Sequence, residues 1–310
     1  MPPWKELILP NGRLRSPMWW FGGKGKMVKK LLPLIPQHKI YVEVFGGGAS
    51  ILFAKEPSPV EVYNDLNSDL VNFFRVLRDP QKFAEFHRLV SLTPYSREEY
   101  NFCRKTWESC EDDVERAYRW FVVARMSFSG HFSNSWSFVV TKSSRGMAAG
   151  VSGWLSSIDM LPEIHGRMMR VQIDDDDFRM IIPRYDTPDT CFYMDPSYVP
   201  ETRKSQDVYK YEMTLQDHQD LVAMLLDVKG AVILSGYRHD VYTPLELAGW
   251  TRHDFPTACW AAGDTRYTGI QGKGAALEMV PRIESVWLNQ LATDSGIADT
   301  GMLTTGMRLL

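Results

Sequence analysis

The stretch Cys191-Phe192-Tyr193-Met194-Asp195-Pro196-Ser197-Tyr198 decides how the rest of the chain is interpreted. Its apolar residues up to Met194 are typical of a buried strand in a parallel sheet, and Pro196 cannot continue a hydrogen-bonded ladder. Asp195 is therefore predicted at the carboxyl end of a strand, where open α/β sheets bind their ligands. The Asp195 carboxylate, the Pro196 carbonyl and the Tyr198 ring could together hold a planar amine. The alternative is a strand followed by an Asp-Pro turn without a ligand.

The composition is that of an ordinary globular protein. The chain has 310 residues, of which 44% are hydrophobic and 24% charged, enough for one large α/β domain and an inserted or appended one. No apolar run approaches the roughly 20 residues of a transmembrane helix, and residues 1–15 lack the apolar core of a signal peptide. The four cysteines include no Cys-x-x-Cys pair, which predicts neither a metal site nor a disulfide framework. We expect a cytoplasmic protein without membrane contact or metal.

Charge is unevenly distributed along the chain. The net charge is −3, which argues against a nucleic-acid-binding protein if the chain is taken as a whole. Residues 1–60, however, contain nine Lys/Arg against three Asp/Glu, and residues 115–154 contain five against one. Two basic regions on an acidic body can contact the same polyanion. Ordinary solvated surface is the alternative, because local excesses of this size are common.

A glycine turn follows the first predicted strand. Residues 40–54 indicate a strand, a turn of three glycines and a helix that begins near Ala49. The turn matches neither the Gly-x-Gly-x-x-Gly dinucleotide pattern nor a phosphate loop, which favours a nucleoside-like ligand without phosphates. A glycine-rich connection without a ligand is the alternative.

Polar and aromatic residues flank this turn on both sides. A helix is predicted to start near Lys24, where Trp20 could stack on a ring and Lys24 could pair with a carboxylate. The next strand ends at Asp65, a position from which an acid can accept hydrogen bonds from ribose hydroxyls. The alternatives are an ordinary loop before an amphipathic helix, and a helix cap formed by Asn64 or Asp65.

Helical periodicity interrupts the sheet pattern after residue 79. Helices are predicted over residues 80–90, 97–107 and 114–124. Serines then alternate with aromatic residues from Phe132 to Phe138, which indicates an exposed hairpin or loop. An ordinary surface hairpin is one interpretation. The other is a DNA-contacting region whose polar side chains reach phosphates or base edges: Arg125, His131, Asn134, Lys142 and Arg145.

The sheet pattern returns after residue 168. Further elements are predicted as strands over 169–173, 190–194, 230–236, 250–255 and 282–288, and a helix over 215–226. Residues 263–276 are glycine-rich and are predicted to form a mobile loop. The tail from Ala292 shows little periodicity.

These motifs, in this order, resemble those of Dam-like adenine-specific DNA methyltransferases in which the cofactor motif precedes the catalytic motif. Residues 20–24 are similar to the W-x-G-G-K motif of that family, and residues 42–50 to its V-E-P-F-x-G-x-G-S loop. Residues 64–67 resemble its acidic motif, and residues 195–198 its catalytic D-P-P-Y. Residues 282–289 resemble a closing motif of many phage and prophage members. The matches cover most of the chain.

The resemblance implies an α/β fold, with a Rossmann-like methyltransferase sheet flanked by helices. It implies a discontinuous catalytic domain, residues 1–71 and 184–290, and an inserted, mainly helical target-recognition domain, residues 72–183, before a tail, 291–310. It also implies methyl transfer from S-adenosylmethionine (SAM) to the N6 amine of an adenine flipped out of double-stranded DNA. We expect a monomer or weak dimer in a bacterial or phage-infected cell.

The resemblance also assigns roles to the matching residues. Asp195 and Pro196 would accept hydrogen bonds from the adenine amine, and Tyr198 would stack on the base. Trp20 and Lys24 would hold the methionine part of SAM. The full set of implied SAM-contacting residues is Trp20, Lys24, Glu43, Phe45, Gly47, Ser50, Asp65 and Asp195.

The chain departs from the family pattern at three positions. Val44 replaces the usual proline, and Ala49 stands where a second glycine is common. Ser197 replaces the second proline of D-P-P-Y, which removes rigidity beside the catalytic carbonyl. Two alternatives stay open: methylation of another planar amine or amide, such as RNA adenine or protein glutamine, and a non-catalytic DNA-binding relative.

Overall fold

The computed structural model describes residues 14–20, 22–128, 132, 135–202, 211–258 and 281–296. Three features predicted from the sequence lie outside these ranges: the side chains of His131 and Asn134, and the glycine-rich segment 263–276. The tail is described only as far as a final helix, Gln290–Gly296.

A seven-stranded sheet forms the centre of the fold. Its strands are β1 (Ile40–Glu43), β2 (Val60–Asn64), β5 (Gln172–Asp174), β6 (Thr190–Met194), β7 (Ala231–Gly236), β8 (Thr251–Ala258) and β9 (Pro281–Leu288). The spatial order is β5-β2-β1-β6-β7-β9-β8. The first five strands in that order are parallel, and β9 runs antiparallel between β7 and β8. This sheet confirms the predicted α/β, Rossmann-like fold.

The order of the strands creates a crevice between β1 and β6. The chain passes from β1 outward to β2 and β5, and then returns to β6 on the other side of β1. Crossovers on opposite sides leave the carboxyl ends of β1 and β6 side by side without a covering connection, and such switch points bind ligands. The glycine turn after β1 and Asp195 after β6 both lie at this point.

Twelve α-helices surround the sheet in the described part of the chain. They are α1 (Val28–Leu31), α2 (Ser50–Ala54), α3 (Ser68–Arg78), α4 (Pro80–Ser91), α5 (Arg97–Thr106), α6 (Asp113–Met126), α7 (Ala149–Asp159), α8 (Leu161–Met168), α9 (Phe178–Tyr185), α10 (Leu215–Leu225), α11 (Thr243–Leu247) and α12 (Gln290–Gly296). A short hairpin, β3 (Ser143–Ser144) and β4 (Met147–Ala148), lies between α6 and α7. The helices predicted over residues 80–90, 97–107 and 114–124 are confirmed as α4, α5 and α6.

The helix predicted near Lys24 is broken into three short pieces. A 3-10 turn, Lys24–Lys26, precedes α1, and a second 3-10 turn, Leu32–Leu34, follows it. Pro33 ends the α-helical pattern because it lacks an N–H group and its ring clashes with the preceding turn. The short first piece leaves Lys24 at a turn that faces the crevice.

Two apolar layers cover the two faces of the sheet. Residues that alternate along the strands divide between them, so that Tyr41, Tyr63 and Ile233 lie in one layer and Val42 and Val232 in the other. The first layer continues without interruption into the helices of the predicted insert, through these side chains: Phe73, Phe86, Trp120, Phe121 and Trp154. The insert therefore shares its core with the sheet and has no separate one.

The predicted boundaries of the insert, residues 72 and 183, both lie inside helices, α3 and α9. Between them, β5 pairs in parallel with β2. The apolar side of α9, including Phe178 and Ile181, packs in the second layer of the sheet. The described residues from α4 to α8 contribute no strand to the central sheet. The limits of an inserted domain stay a prediction.

The acidic run at residues 174–177 is largely neutralised by arginines. Arg184 contacts Asp174 at 2.5 Å and Asp176 at 2.6 Å, and Arg179 contacts Asp177 at 3.2 Å. The Arg184 pair with Asp174 ties the last turn of α9 to the end of β5. None of the helices in the described ranges is long and apolar enough to cross a membrane.

Candidate active site

Asp195 lies where the sequence predicts it, directly after the buried strand β6. Glu43, the last residue of β1, is the register partner of Tyr193, and the Val44 N–H donates to the Tyr193 carbonyl at 3.2 Å. The ladder therefore brings the start of the glycine turn next to Asp195. Two stretches about 150 residues apart in sequence, residues 43–48 and 193–198, meet at one edge of the sheet.

A buried ion pair fills the centre of this edge. The Lys24 amine donates to both carboxylate oxygens of Asp195, at 2.5 and 2.6 Å. It also donates to the Gly22 carbonyl at 3.1 Å and lies 3.3 Å from a carboxylate oxygen of Glu284. The sequence predicted that Lys24 could pair with a carboxylate, and in the structure that carboxylate belongs to the catalytic candidate itself.

Glu284 is a member of this site that the sequence analysis did not single out. It lies on β9, and its Oε1 atom accepts a hydrogen bond from the Tyr198 hydroxyl at 2.7 Å. The closing motif quoted above contains Glu284, but without a role. The signal that could have identified it is an acid between the apolar residues Ile283 and Val286 of a predicted strand, because acids are rarely buried in a sheet without a partner.

Burial raises the pKa of Asp195 to about 6, Lys24 opposes this rise, and the neighbouring charge of Glu284 adds to it. At neutral pH the carboxylate is thus still ionised, yet it holds its charge less firmly than an exposed aspartate. The Tyr198 ring lies beside it, 5.1 Å from the Lys24 amine and edge-on to Tyr237, with ring centroids 4.4 Å apart. Carboxylate and ring are therefore adjacent, as a site for a planar amine requires.

The glycine turn is held in place by Asp65 and Tyr63. The Gly47 N–H donates to Asp65 at 2.8 Å, and the Tyr63 hydroxyl donates to the Gly47 carbonyl at 2.8 Å. Gly47 has a left-handed φ of +47°, and a Cβ atom on Gly46 would lie 2.2 Å from the Tyr63 ring. Only glycine fits these two positions.

Asp65 bridges the turn and the following helix. Its second oxygen accepts from the Asn67 N–H at 2.8 Å, and burial raises the pKa of Asp65. The cap of α3 is Asn67, whose side chain accepts from the Asp69 and Leu70 N–H groups, so neither of the residues considered as caps fills that role. Asn64 instead donates to the carbonyls of Val44 and Asp176.

Glu43 lies buried beneath the turn. One carboxyl oxygen accepts from the Tyr41 hydroxyl at 3.0 Å and from the Leu52 N–H at 2.7 Å. The other has no hydrogen-bond partner among the described residues. Burial raises the pKa of Glu43 to about 8, so the group is mostly protonated at neutral pH. Burying a polar atom without a hydrogen-bond partner is costly.

The remaining predicted residues of the turn cluster around it. Trp20 covers it, since a Cβ atom on Gly47 would lie 2.9 Å from the Trp20 indole nitrogen. Phe45 packs against Phe178 with ring centroids 5.9 Å apart, and Ser50 is the first residue of α2. Ser197, which stands in place of the second proline, accepts a hydrogen bond from the Met213 N–H at 2.8 Å.

The residues predicted to contact DNA do not share one environment. Arg125 is half-buried, donates to the Gly153 carbonyl at 2.7 Å and ties α6 to α7. Burial lowers the pKa of Arg125 to about 10. Arg145 occupies the turn between β3 and β4 with a φ of +52°, followed by Gly146 at +75°, the signs of a type I′ turn. Lys142 is exposed beside this hairpin.

The serine-aromatic segment, predicted as an exposed hairpin or loop, is a loop, and the hairpin β3–β4 follows it. That segment forms one antiparallel bridge, between Ser127 and Trp136. Trp136 stacks on Phe138 with ring centroids 6.1 Å apart, and the Arg97 guanidinium lies 4.9 Å from the Trp136 ring. The aromatic side chains of the segment therefore pack against one another and against Arg97. The two-stranded ladder forms later in the chain, at residues 143–148.

No metal centre is visible in the described part of the chain. Nowhere in those ranges do three or more His, Cys, Asp or Glu side chains come together in a way that could hold a metal ion.

Comparison with known proteins places the chain in a family. A family model described as "D12 class N6 adenine-specific DNA methyltransferase" matches residues 20–241. A "DNA N-6-adenine-methyltransferase" of Escherichia phage P1 is 25% identical over 236 residues, which cover 71% of this chain and 29% of that relative. A "Type II methyltransferase" of Lactococcus lactis subsp. cremoris is 31% identical over 121 residues, 36% of this chain and 40% of the relative.

A "DNA adenine methylase" of Vibrio cholerae is 27% identical over 118 residues, 37% of this chain and 42% of the relative. The matched part of the chain thus spans less than half the length of each of these relatives. The family model, in contrast, covers most of the chain and includes the glycine turn and Asp195. The chain therefore belongs to the D12 class N6 adenine-specific DNA methyltransferases.

Proposed function

We propose that this protein transfers a methyl group from SAM to the N6 amine of an adenine flipped out of double-stranded DNA. The observation that carries the proposal is the meeting of Asp195 and Tyr198 with the glycine turn at the switch point of the sheet. The carboxylate and the aromatic ring can bind a planar amine, and the turn beside them can bind a nucleoside. Family membership supports the same reaction.

Asp195 and Pro196 prepare the amine for reaction. The lone pair of an exocyclic adenine amine is conjugated with the ring, so the nitrogen is a poor nucleophile. Hydrogen bonds from its two N–H groups to the Asp195 carboxylate and the Pro196 carbonyl favour a pyramidal nitrogen with an available lone pair. The negative charge of Asp195 also stabilises the positive charge that develops on nitrogen.

The residues around the glycine turn fit SAM. Asp65 has carboxylate oxygens able to accept from ribose hydroxyls, Lys24 is a buried cation able to meet a carboxylate, and Glu43 has an unpartnered carboxyl oxygen. Trp20 lies against the turn and provides an apolar wall. When bound, SAM supplies an electrophilic methyl group, and the residues of the chain have only to position the amine in line with it.

We propose that the region between residues 72 and 183 recognises the DNA target, with Arg125, Asn134, Lys142 and Arg145 as candidate contacts. The exposed hairpin β3–β4, which carries Arg145 and follows Lys142, is the part best suited to enter a DNA groove. Arg125 fills a supporting role there, since it holds α7 against α6. Single replacement of Lys142 should weaken binding to all sequences and lower the salt dependence.

Tritiated SAM tests the reaction. The purified protein is incubated with unmethylated plasmid DNA, with RNA and with a protein extract, and the label is counted in each. Label in DNA, identified as N6-methyladenine, is the expected result, and methylation-aware sequencing then gives the recognition site. Label in RNA or protein alone points to another planar amine or amide. Binding of DNA without label in any substrate points to a non-catalytic relative, and either result contradicts the proposal.

The cellular setting is proposed from the substrate. A DNA-modifying enzyme acts in the cytoplasm of a bacterial or phage-infected cell, and one flipped adenine per catalytic site is compatible with a monomer or weak dimer. Sedimentation of the protein with and without DNA measures the oligomeric state. A stable tetramer in both samples contradicts this part of the proposal.

A further inference from the structure

We propose that Glu284 is a positioning residue of the site, which orients the Tyr198 ring and divides Lys24 between two carboxylates. The inference rests on the proposed function, because it assigns Glu284 a part in presenting Asp195 and Tyr198 to a planar amine. It concerns a residue on the antiparallel strand β9, outside the segments that carry Asp195, the glycine turn and Lys24.

The register of the sheet brings Glu284 to the site. Ser285 pairs with Gly236, the last residue of β7, so Glu284 lies one residue beyond the carboxyl end of that strand. Side chains alternate along a strand, and Val286 and Leu288 belong to the first apolar layer. Glu284 therefore points to the same face as these residues, the face on which the N-terminal segment with Lys24 packs.

Glu284 determines the orientation of the Tyr198 ring. The Tyr198 hydroxyl donates to Glu284 at 2.7 Å, and Tyr237 contacts the ring edge-on. A phenol that is held at its hydroxyl and at one edge keeps one ring plane. A fixed ring plane favours stacking on a base, because a freely rotating ring would lose conformational entropy when the base binds.

Glu284 also changes the charge balance at Asp195. One ammonium group, Lys24, serves two carboxylates, at 2.5 Å for Asp195 and 3.3 Å for Glu284. A lysine with a single carboxylate neighbour would neutralise it, whereas a shared lysine leaves a net negative site. The Asp195 carboxylate can then still accept a strong hydrogen bond from an amine. In agreement, the charge of Glu284 contributes to the raised pKa of Asp195.

Packing alone does not account for a glutamate at this position. Glu284 is only 8% exposed, and carboxylates are rarely this buried unless their charge has a use. The strand itself is held by its ladders to β7 and β8 and by the buried Val286 and Trp287. An apolar residue would serve the packing of β9 at lower cost.

The hydrogen-bond part is tested by a double-mutant cycle of single-turnover methylation rates. Glu284→Ala and Tyr198→Phe should each lower the rate about tenfold, the effect of losing one hydrogen bond to a charged group. Because both remove the same contact, the double variant should be no more than about twofold slower than the slower single variant. Multiplied losses of about a hundredfold, or unchanged rates in the single variants, overturn the assignment.

The charge part is tested with Glu284→Gln, whose amide oxygen still accepts from Tyr198 but carries no charge. The Asp195 carboxyl is titrated by carbon-13 NMR in the free protein, with Asp195→Asn for the assignment. The midpoint should fall in Glu284→Gln, because a neighbouring negative charge is removed. An unmoved midpoint overturns the proposal. The titratable groups that interact with Asp195 are Lys24, Glu43, Tyr193, Tyr198, Tyr242 and Glu284.

Asp254→Asn is the matched control. Asp254 lies on the neighbouring strand β8 and accepts from Ser285 at 2.7 Å, outside the Lys24 cluster. It should leave both the rate and the Asp195 midpoint unchanged, and a shift equal to that of Glu284→Gln contradicts a specific role. The NMR titration needs no methyl transfer, so an inactive wild-type protein would refute the proposed function while this part of the inference is still decided.

Discussion

Two buried clusters of lysine, arginine and carboxylate lie at opposite ends of the central sheet. At one end, the Glu61 carboxylate, near the start of β2, lies 2.6 Å from the Lys55 amine. It also forms an ion pair with Arg167 on α8. At the other, Asp195 and Glu284 share Lys24. The first cluster has two cations for one carboxylate, and the second has one cation for two.

The acids of the two clusters titrate in opposite directions. Burial alone would raise the pKa of Glu61, but the hydrogen bonds and charges of Arg167 and Lys55 lower it. Burial raises the pKa of Asp195 to about 6, and a single shared lysine does not reverse this rise. The ratio of cations to carboxylates thus distinguishes the two clusters. Where cations outnumber carboxylates, the acid is fully neutralised and the cluster stabilises the fold; where carboxylates outnumber cations, an acid is left able to bind a ligand.

Removal of Arg167 should have the largest effect on stability. Arg167→Ala leaves a fully buried Glu61 with one cation and an open space between α8 and β2, and should lower the free energy of unfolding by about 3–5 kcal/mol. The control is Arg184→Ala, because Arg184 forms exposed, solvent-screened ion pairs with Asp174 and Asp176 whose loss should change the free energy of unfolding much less. Urea denaturation measures both, and equal losses would contradict the contrast.

Replacement of Asp195 should act on the reaction instead of on the fold. Asp195→Ala should slow single-turnover methyl transfer by about 10²–10³-fold, the usual effect of removing one group that stabilises developing charge. Asp195→Asn should retain more activity, since its amide oxygen still accepts from the amine. Unfolding free energy should stay the same or rise slightly, because Lys24 keeps Glu284 as a partner. Wild-type rates in Asp195→Ala would place the chemistry elsewhere.

Replacement of Asp65 should act mainly on cofactor binding. Asp65→Ala should weaken SAM binding by about 1–3 kcal/mol, because it removes an acceptor for ribose and releases the Gly47 N–H that shapes the turn. Titration calorimetry measures the affinity for SAM and for S-adenosylhomocysteine. Asp189→Ala, which removes an exposed partner of Lys39, is the control and should bind as the wild type does. Unchanged affinity in Asp65→Ala contradicts the assignment.

A change of pH should separate the two clusters. The Asp195 carboxylate becomes protonated as pH falls through about 6, so the methylation rate should fall about tenfold per pH unit below that value. The folded-state pKa of Glu61 is lowered, so its stabilising contribution is present above the unfolded value of about 4.3 and is lost only as pH falls further. Between about pH 4.5 and 6 the protein should therefore stay folded while the methylation rate falls progressively. Parallel loss of rate and of circular dichroism would contradict this.

Most of the catalytic strand and its neighbours could be predicted from the sequence. An apolar run that ends in Asp195-Pro196 fits a parallel sheet in few ways, because the strand must end at the proline. Three glycines between a strand and a helix indicate a turn close to a ligand. Local pattern failed where Pro33 broke the helix that was predicted to start near Lys24. The strand predicted over residues 169–173 does form, as β5, although it begins a few residues later and lies inside the predicted insert. The serine-aromatic segment takes the loop form of the two that were predicted, with one bridge between Ser127 and Trp136.

The sequence by itself determined the fold class, the place of Asp195 at a strand end and the glycine positions, because these follow from local periodicity and backbone conformation. Only the tertiary structure decided which charges meet. The pairing of Lys24 with Asp195, the contact of Glu284 with Tyr198 and the use of Ser197 to hold Met213 join residues far apart in the chain. Which charged groups pair depends on distances between separate segments in the folded chain, and no local sequence pattern specifies those distances. Hydrophobic alternation, in contrast, can be read directly from neighbouring residues in the sequence.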